Sequence, residues 1–137
     1  MSLLSYECRT AYPCFAVEYP SDWLLDTSRA FPNQGSVELS TEDLSASVTV
    51  EWGPSLSPQA ELELAGSRYN RHEVLQQQRL NLEGAAWSEV VYQGWKDQRT
   101  PTPDRVCARF TQRSGTIWRV SYRLGRAGGS RRRPAAE

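Results

Sequence analysis

The chain has 137 residues and a mass of 15.5 kDa, which is the size of one domain. Its 39% hydrophobic and 23% charged residues suffice for a core, and no segment approaches the roughly 20 apolar residues of a membrane span. We therefore exclude a wholly disordered chain and an integral membrane protein. The net charge is zero, but residues 1–67 carry two basic and ten acidic side chains, whereas residues 68–137 carry fourteen and six. This asymmetry indicates either a basic interaction surface or two halves that face each other, and the second interpretation is the simpler.

The first residues and the cysteines bear on the cellular compartment. The N-terminal residues contain neither a basic region nor an apolar segment of a secretory signal, so we expect a cytoplasmic protein. An exported or lipid-anchored protein is the alternative if the true start codon lies upstream. Cys8, Cys14 and Cys107 are odd in number and lack the spacing of a metal site. We expect free thiols, with a Cys8–Cys14 disulfide as the alternative.

The first half of the chain predicts short strands. Residues 15–19 alternate apolar with small or polar side chains and end at a turn over residues 20–23. Residues 37–39 form a second short strand. Residues 46–52 form the clearest one, and its apolar side chains share one face: Ala46, Val48, Val50 and Trp52.

A helix follows this strand. Ser57 is a typical N-cap and Pro58 suits the first helical position. Leu62, Ala65 and Tyr69 recur at helical spacing and should face the core. The pattern predicts a helix that ends near residue 71.

The second half predicts strands again, over residues 78–82, 85–95, 105–112 and 116–124. A loop with two prolines, residues 96–104, separates the second of these from the third. The tail, residues 125–137, has no apolar period and should be disordered. The pattern therefore predicts an α+β protein with a largely antiparallel sheet of six or seven strands and one main helix.

The order of these elements resembles the superfamily of the photosystem II protein PsbP and the Ran-binding Mog proteins, which has many bacterial members of unknown function. The likeness covers about residues 12–124. Five segments carry it: residues 15–23 with their "YPxxW" ending, the strand at 46–51, the helix start Ser57-Pro58, the turn at 82–86, and the closing strand at 118–122. The resemblance implies helices packed on an antiparallel sheet, and a binding or accessory role rather than catalysis.

The chain departs from that pattern after Leu124. Relatives of this type usually end with an amphipathic helix that covers the sheet, whereas here a Gly/Arg-rich tail follows. Either the helix is absent or the reading frame changed near Gly125. We expect a single PsbP-like domain over residues 1–124, with apolar sheet surface left uncovered, and such a patch favours a partner or self-association.

The last hairpin gives the candidate binding residues. A three-residue loop, Arg113-Ser114-Gly115, would place all its apolar side chains on one face. The same register would set Arg109 opposite Arg119, and Arg105 opposite Arg123, on the other face. Like charges in direct opposition are destabilising unless something neutralises them.

Two interpretations of this arginine face remain. Glu18, Glu51 and Glu89 from other strands could pair with the arginines, which would form a solvated ion-pair lattice. Alternatively, the face binds an acidic ligand or protein, because guanidinium groups bind carboxylate and phosphate bidentately. Trp95, beside the proline-containing loop and near Pro101, is a further candidate contact, because exposed tryptophan favours protein interfaces.

No catalytic signature is present in the sequence. His72, the single histidine, lies near the predicted end of the helix, and there is no nucleophile elbow, phosphate-binding loop or zinc motif. We expect no cofactor and no metal. The sequence thus favours a non-enzymatic binding or accessory protein that acts through protein–protein contacts. The alternatives are a binder of a small acidic ligand and a weak nucleic-acid binder that uses the basic C-terminal half.

Overall fold

The computed structural model describes residues 2–11 and 14–125, and within them the chain forms nine strands and one helix. Their order is β1 (Leu3–Cys8), β2 (Phe15–Pro20), β3 (Leu24–Arg29), β4 (Gly35–Ser40), β5 (Ala46–Trp52), α1 (Pro58–Arg68), β6 (Arg71–Leu82), β7 (Ala85–Trp95), β8 (Asp104–Arg113) and β9 (Thr116–Leu124). Residues 126–137 lie outside this part of the chain, and with them the disorder expected for the tail.

Seven strands form one antiparallel sheet in the order β3-β4-β5-β9-β8-β7-β6, and β1 pairs with β2 in a separate two-stranded ribbon. Because β9 is the last strand in sequence but lies between β5 and β8, it joins the two halves of the sheet. The predicted α+β architecture, with one main helix on an antiparallel sheet, is confirmed.

The helix and the ribbon cover opposite faces of the sheet and different halves of it. On one face, here called the helix face, α1 packs over β6, β7 and β8, and Ala65 meets Val90 and Val106 in a buried cluster. On the other, the ribbon face, residues of β1 and β2 pack against Trp52 and Trp118. In this diagonal arrangement α1 leaves the helix face along β3, β4, β5 and β9 only partly covered, although Arg119 and Ser121 on that half are buried.

The helix begins as predicted but ends earlier than predicted. Ser57 caps it, with its hydroxyl accepting a hydrogen bond from the Ala60 amide at 3.0 Å, and Pro58 occupies the first turn. It ends at Arg68 rather than near residue 71, because the next residues turn directly into β6. His72 therefore lies in a strand. The strands β1 and β3 were not predicted, and β6 begins seven residues before its predicted start.

The register of the last hairpin differs from the prediction. The loop has two residues, Ser114 and Gly115, both with positive φ, as a tight hairpin turn requires. Arg119 therefore lies opposite Phe110, and Arg109 lies opposite Val120. The predicted arginine pairs do not form, because one residue fewer in the loop moves every side chain of β9 to the other face.

Candidate functional site

The partly covered half of the helix face forms a cleft of about 840 Å³ beside the helix. Its floor is the surface of β3, β4, β5 and β9, which carries Ser36, Thr49 and Ser121. Leu64 of α1 and Leu56, in the segment before the helix, form the opposite wall. We call this feature the helix-face cleft.

The floor of the helix-face cleft is polar. Thr49 lies between Glu38 and Ser121 in the sheet register, and Glu51 lies between Ser36 and Arg119. The buried apolar side chains of these strands point to the ribbon face instead, where residues of β1 and β2 pack against them: Val37, Val50, Trp52 and Trp118. The expectation that uncovered sheet would be apolar is therefore wrong for this half of the helix face, because the ribbon already covers its apolar face.

Arg119 is the centre of a buried hydrogen-bond network at the inner end of the cleft. Its Nε and Nη2 atoms donate to the two carboxylate oxygens of Glu61, at 2.6 and 2.8 Å. Its Nη1 atom donates to Glu51 at 3.0 Å and to the Ser121 hydroxyl at 2.7 Å. The Tyr92 hydroxyl donates to Glu61 at 2.6 Å. The network thus fastens α1 to β5, β7 and β9.

The electrostatic balance of this network keeps Glu61 ionised. Burial works to raise the pKa of Glu61, but the hydrogen bonds and charge of Arg119, with the Tyr92 hydrogen bond, outweigh it and hold that pKa below its ordinary value. Burial likewise opposes the charge of Arg119, and Glu61 reverses this, so that the pKa of Arg119 is raised. The pair is therefore a permanent ion pair near neutral pH.

The low pKa of Glu61 predicts a specific pH dependence of stability. A carboxylate whose pKa is lower in the folded state stabilises the fold above its unfolded pKa, and this contribution is lost as the pH falls through the folded value. In urea titrations between about pH 6 and pH 3, Glu61→Gln should therefore lose less stability on acidification than the wild type. Glu42→Gln, the same change at an exposed turn position, is the matched control. If the wild type and Glu61→Gln lose the same unfolding free energy as the pH falls, this assignment is contradicted.

A second buried carboxylate also lines the cleft. Asp104, at the start of β8, accepts a hydrogen bond of 2.9 Å from the Tyr69 hydroxyl. The Arg123 and Lys96 cations lie 3.8 and 3.9 Å from its oxygens. Burial and Asp104 both raise the pKa of Tyr69, so this hydroxyl stays a neutral donor. The Tyr69 ring lies directly on the backbone of Gly94, where any side chain would collide with it.

The four predicted arginines do not share one surface. Arg119 and Arg123 line the helix-face cleft, whereas the register places Arg105 and Arg109 on the ribbon face. Two of the expected ion pairs nevertheless form. They are Arg119–Glu51 at 3.0 Å and Arg109–Glu89 at 2.8 Å. Arg109 and Gln78 both hold the pKa of Glu89 below its ordinary value.

The remaining sequence candidates lie elsewhere. Glu18 is exposed on β2. Trp95, at the end of β7, is half-buried under the Arg71 guanidinium, which stands 3.8 Å above its ring, and it is not among the side chains that line the cleft. Cys8 is buried, Cys14 exposed and Cys107 half-buried, and all three are free thiols.

Sequence reasoning did not identify Glu61 as the partner of Arg119. The signal was present, since Glu61 precedes Ala65 by four residues and therefore shares its helix face. Its charge predicted a solvent-exposed position, but the Arg119 guanidinium pairs with the carboxylate and so offsets the cost of burying it. In the described residues, no group of three or more His, Cys, Asp or Glu side chains is arranged to hold a metal ion. Nor does this part of the chain contain a helix long and apolar enough to cross a membrane.

Comparison with known proteins identifies the fold. No protein-family model and no curated protein matches the sequence. Among solved structures, the chain is similar to cyanobacterial PsbP (CyanoP) from Synechocystis sp. PCC 6803, with a TM-score of 0.57 and 16% identity over 92% of this chain and 81% of that one. It is also similar to PA94 from Pseudomonas aeruginosa, a protein of unknown function described as a candidate regulator, with a TM-score of 0.51 and 16% identity over 89% and 82% of the two chains. The chain thus has the PsbP-like fold that the sequence resemblance implied.

Proposed function

We propose that the protein is a non-enzymatic accessory or regulatory protein that holds a hydrophilic segment of a partner protein in the helix-face cleft. The observation that carries this proposal is the cleft of about 840 Å³ beside α1, whose floor of four strands is polar. The half-buried Thr49 hydroxyl on the floor offers a hydrogen bond to a polypeptide, and Leu56 and Leu64 offer apolar contact at the rim.

The charges in the cleft favour a protein segment over a small acidic ligand. Five acidic and five basic side chains line it. Arg119 is occupied by Glu61 and Glu51, and Arg123 donates to the Leu44 carbonyl oxygen at 2.9 Å. A small anion would have to compete with these internal partners, whereas a segment with mixed charges can pair with both signs along the floor.

The ionisable groups of the cleft support binding rather than acid–base catalysis. A catalytic acid or base works best with a pKa near the working pH. Here the pKa of Glu61 is lowered, and burial raises the pKa values of Tyr92 and Tyr69 far above neutrality. These shifts hold each group in one protonation state, which suits a structural network.

Nucleic-acid binding receives less support, because the arginines of the second half are divided between two faces of the sheet. Arg109 pairs with Glu89 on the ribbon face, and Arg119 pairs with Glu61 on the helix face. A phosphate backbone is bound by cations that are free to release their counterions. Within residues 2–11 and 14–125, these pairs reduce the charge available for that purpose.

Site-specific photocrosslinking in the source cells tests the proposal. A photoreactive amino acid at Leu64, an exposed position on the cleft wall, should yield a discrete crosslinked protein. The same group at Gln112, exposed near the tip of the last hairpin, is the matched control and should not yield that product. Thr49→Trp should abolish the Leu64 product, because an indole on the floor occupies the space of the partner segment.

Two outcomes would overturn the proposal. The first is identical products from Leu64 and Gln112, or a Leu64 product that survives Thr49→Trp. The second is binding of citrate, succinate or inorganic phosphate to the purified protein, detected as a rise in Tm that Arg123→Gln removes. That second outcome would establish the small acidic ligand instead.

A further inference from the structure

The strand β6 is a long sheet edge whose second half, from Gln76 to Leu82, lacks the usual protection against pairing. It has 12 residues, contains no proline, and is exposed at nearly every position. Its one irregularity is the register shift between Val74 and Gln76. From Gln76 to Leu82 the register with β7 is continuous, and Arg79 is the only charged residue. Natural edge strands are usually short, bulged or charged, because their unpaired backbone groups otherwise recruit another strand.

The opposite edge of the same sheet is protected. The strand β3 has only six residues, and its register shifts between Asp26 and Arg29, both of which are charged. A bulge and two charges within six residues prevent a second strand from pairing in register. By contrast, the second half of β6 has one charge and no register shift, which makes it the edge more open to sheet extension.

We propose that β6 pairs antiparallel with β6 of a second copy of this chain, so that two seven-stranded sheets form one continuous sheet about a two-fold axis. Such an interface is isologous, because each copy contributes the same strand. Residues directly opposite each other must point to the same face.

The charge of Arg79 excludes two of the possible registers. A two-fold axis at Arg79 would place the two Arg79 side chains directly opposite each other, and like charges in that position repel. An axis at Gln77 would place Arg79 opposite Leu75 of the other copy, where the register of β6 is irregular. An axis at Gln78 avoids both arrangements. It places Gln76 opposite the partner's Leu80, and Gln77 opposite the partner's Arg79.

A shallow depression on the helix face supplies the complementary charge. Gln77 forms one side of it, and the first half of α1 forms the other with Pro58, Leu62 and Glu63. With the axis at Gln78, the partner's Arg79 enters this depression, where its aliphatic stem contacts Leu62 and its guanidinium reaches Glu63. Glu63 is exposed, and the two-fold symmetry makes this ion pair twice.

Analytical ultracentrifugation of the full chain over a wide concentration range tests the proposal. The wild type should show a reversible monomer–dimer equilibrium. Arg79→Glu should raise the dissociation constant at least about tenfold, because two attractive pairs become repulsive. Glu63→Arg should do the same, and Arg79→Glu with Glu63→Arg should restore the dimer. Arg113→Glu, with the same charge change at the hairpin, should leave the equilibrium unchanged.

The double variant Arg79→Glu with Glu63→Arg also distinguishes a folding defect from a loss of association. All the substituted positions are exposed, so the circular dichroism spectrum of each variant should remain that of the wild type. A protein that stays monomeric at every concentration overturns the proposal. So does a dimer that Arg79→Glu leaves intact, which would place the interface elsewhere. Weakening by both single variants without rescue in the double variant excludes the Gln78-centred register.

Discussion

Replacing Glu61 by alanine should lower the free energy of unfolding by about 3 kcal/mol, because it leaves the Arg119 guanidinium buried without its main partner. The Glu61 side chain is only 6% exposed and that of Arg119 only 11%. Glu51 remains within 3.0 Å of Arg119, so the loss should fall at the lower end of the range for a broken buried pair. Urea denaturation followed by circular dichroism measures the change.

The double variant Glu61→Leu with Arg119→Leu should lose less stability than Glu61→Ala alone, because no unpaired charge remains in the interior. Ser67→Ala serves as the control, since Ser67 is exposed six residues further along the same helix. It should change the free energy of unfolding by no more than about 0.5 kcal/mol. If Glu61→Ala behaves like this control, the network does not hold α1 on the sheet.

Replacing Trp52 by alanine should lower the free energy of unfolding by about 3–5 kcal/mol. Trp52 is 1% exposed on the ribbon face, with the rings of Phe15 and Trp118 each centred 5.7 Å from its own. Its indole nitrogen also donates to the Phe31 carbonyl oxygen at 2.8 Å. The change removes the side chain that joins the ribbon to the sheet and leaves a cavity between them.

Trp95→Ala is the matched control for this experiment. Trp95 is a half-buried strand-end residue under Arg71, so its removal deletes a ring of the same size at the margin of the sheet. Its loss of stability, measured by the same urea titration, should be less than half that of Trp52→Ala. Equal losses would show that the ribbon contributes no more than a peripheral contact.

The elements that the sequence predicted well are those with a local chemical signal. The strand β5 alternates apolar and polar side chains because only one of its faces is covered by the ribbon. The start of α1 follows from Ser57 and Pro58, whose preferences act within a single turn. The beginning of β6 had no such signal, because an edge strand exposed on both faces has no apolar side to reveal it.

The hairpin register could not be derived from the rule that apolar residues share a face. That rule assumes one buried face, but this hairpin has buried side chains on both: Phe110 on the helix face and Trp118 on the ribbon face. Arg119 can lie opposite Phe110 because Glu61, from a helix 58 residues earlier in the chain, neutralises it. A tertiary contact of that range leaves no trace in the local pattern of β9.

The position of β9 at the centre of the sheet has a consequence for synthesis. Until β9 leaves the ribosome, the strands made before it can form only two separate three-stranded sheets, β3-β4-β5 and β6-β7-β8, because β9 alone connects them. Glu61 also lacks its ion-pair partner until then, because Arg119 is part of β9. The nascent chain therefore exposes two open sheet edges until β9 emerges, and during that interval it is most vulnerable to wrong pairing. The nine residues of β9 then join both halves of the seven-stranded sheet at once.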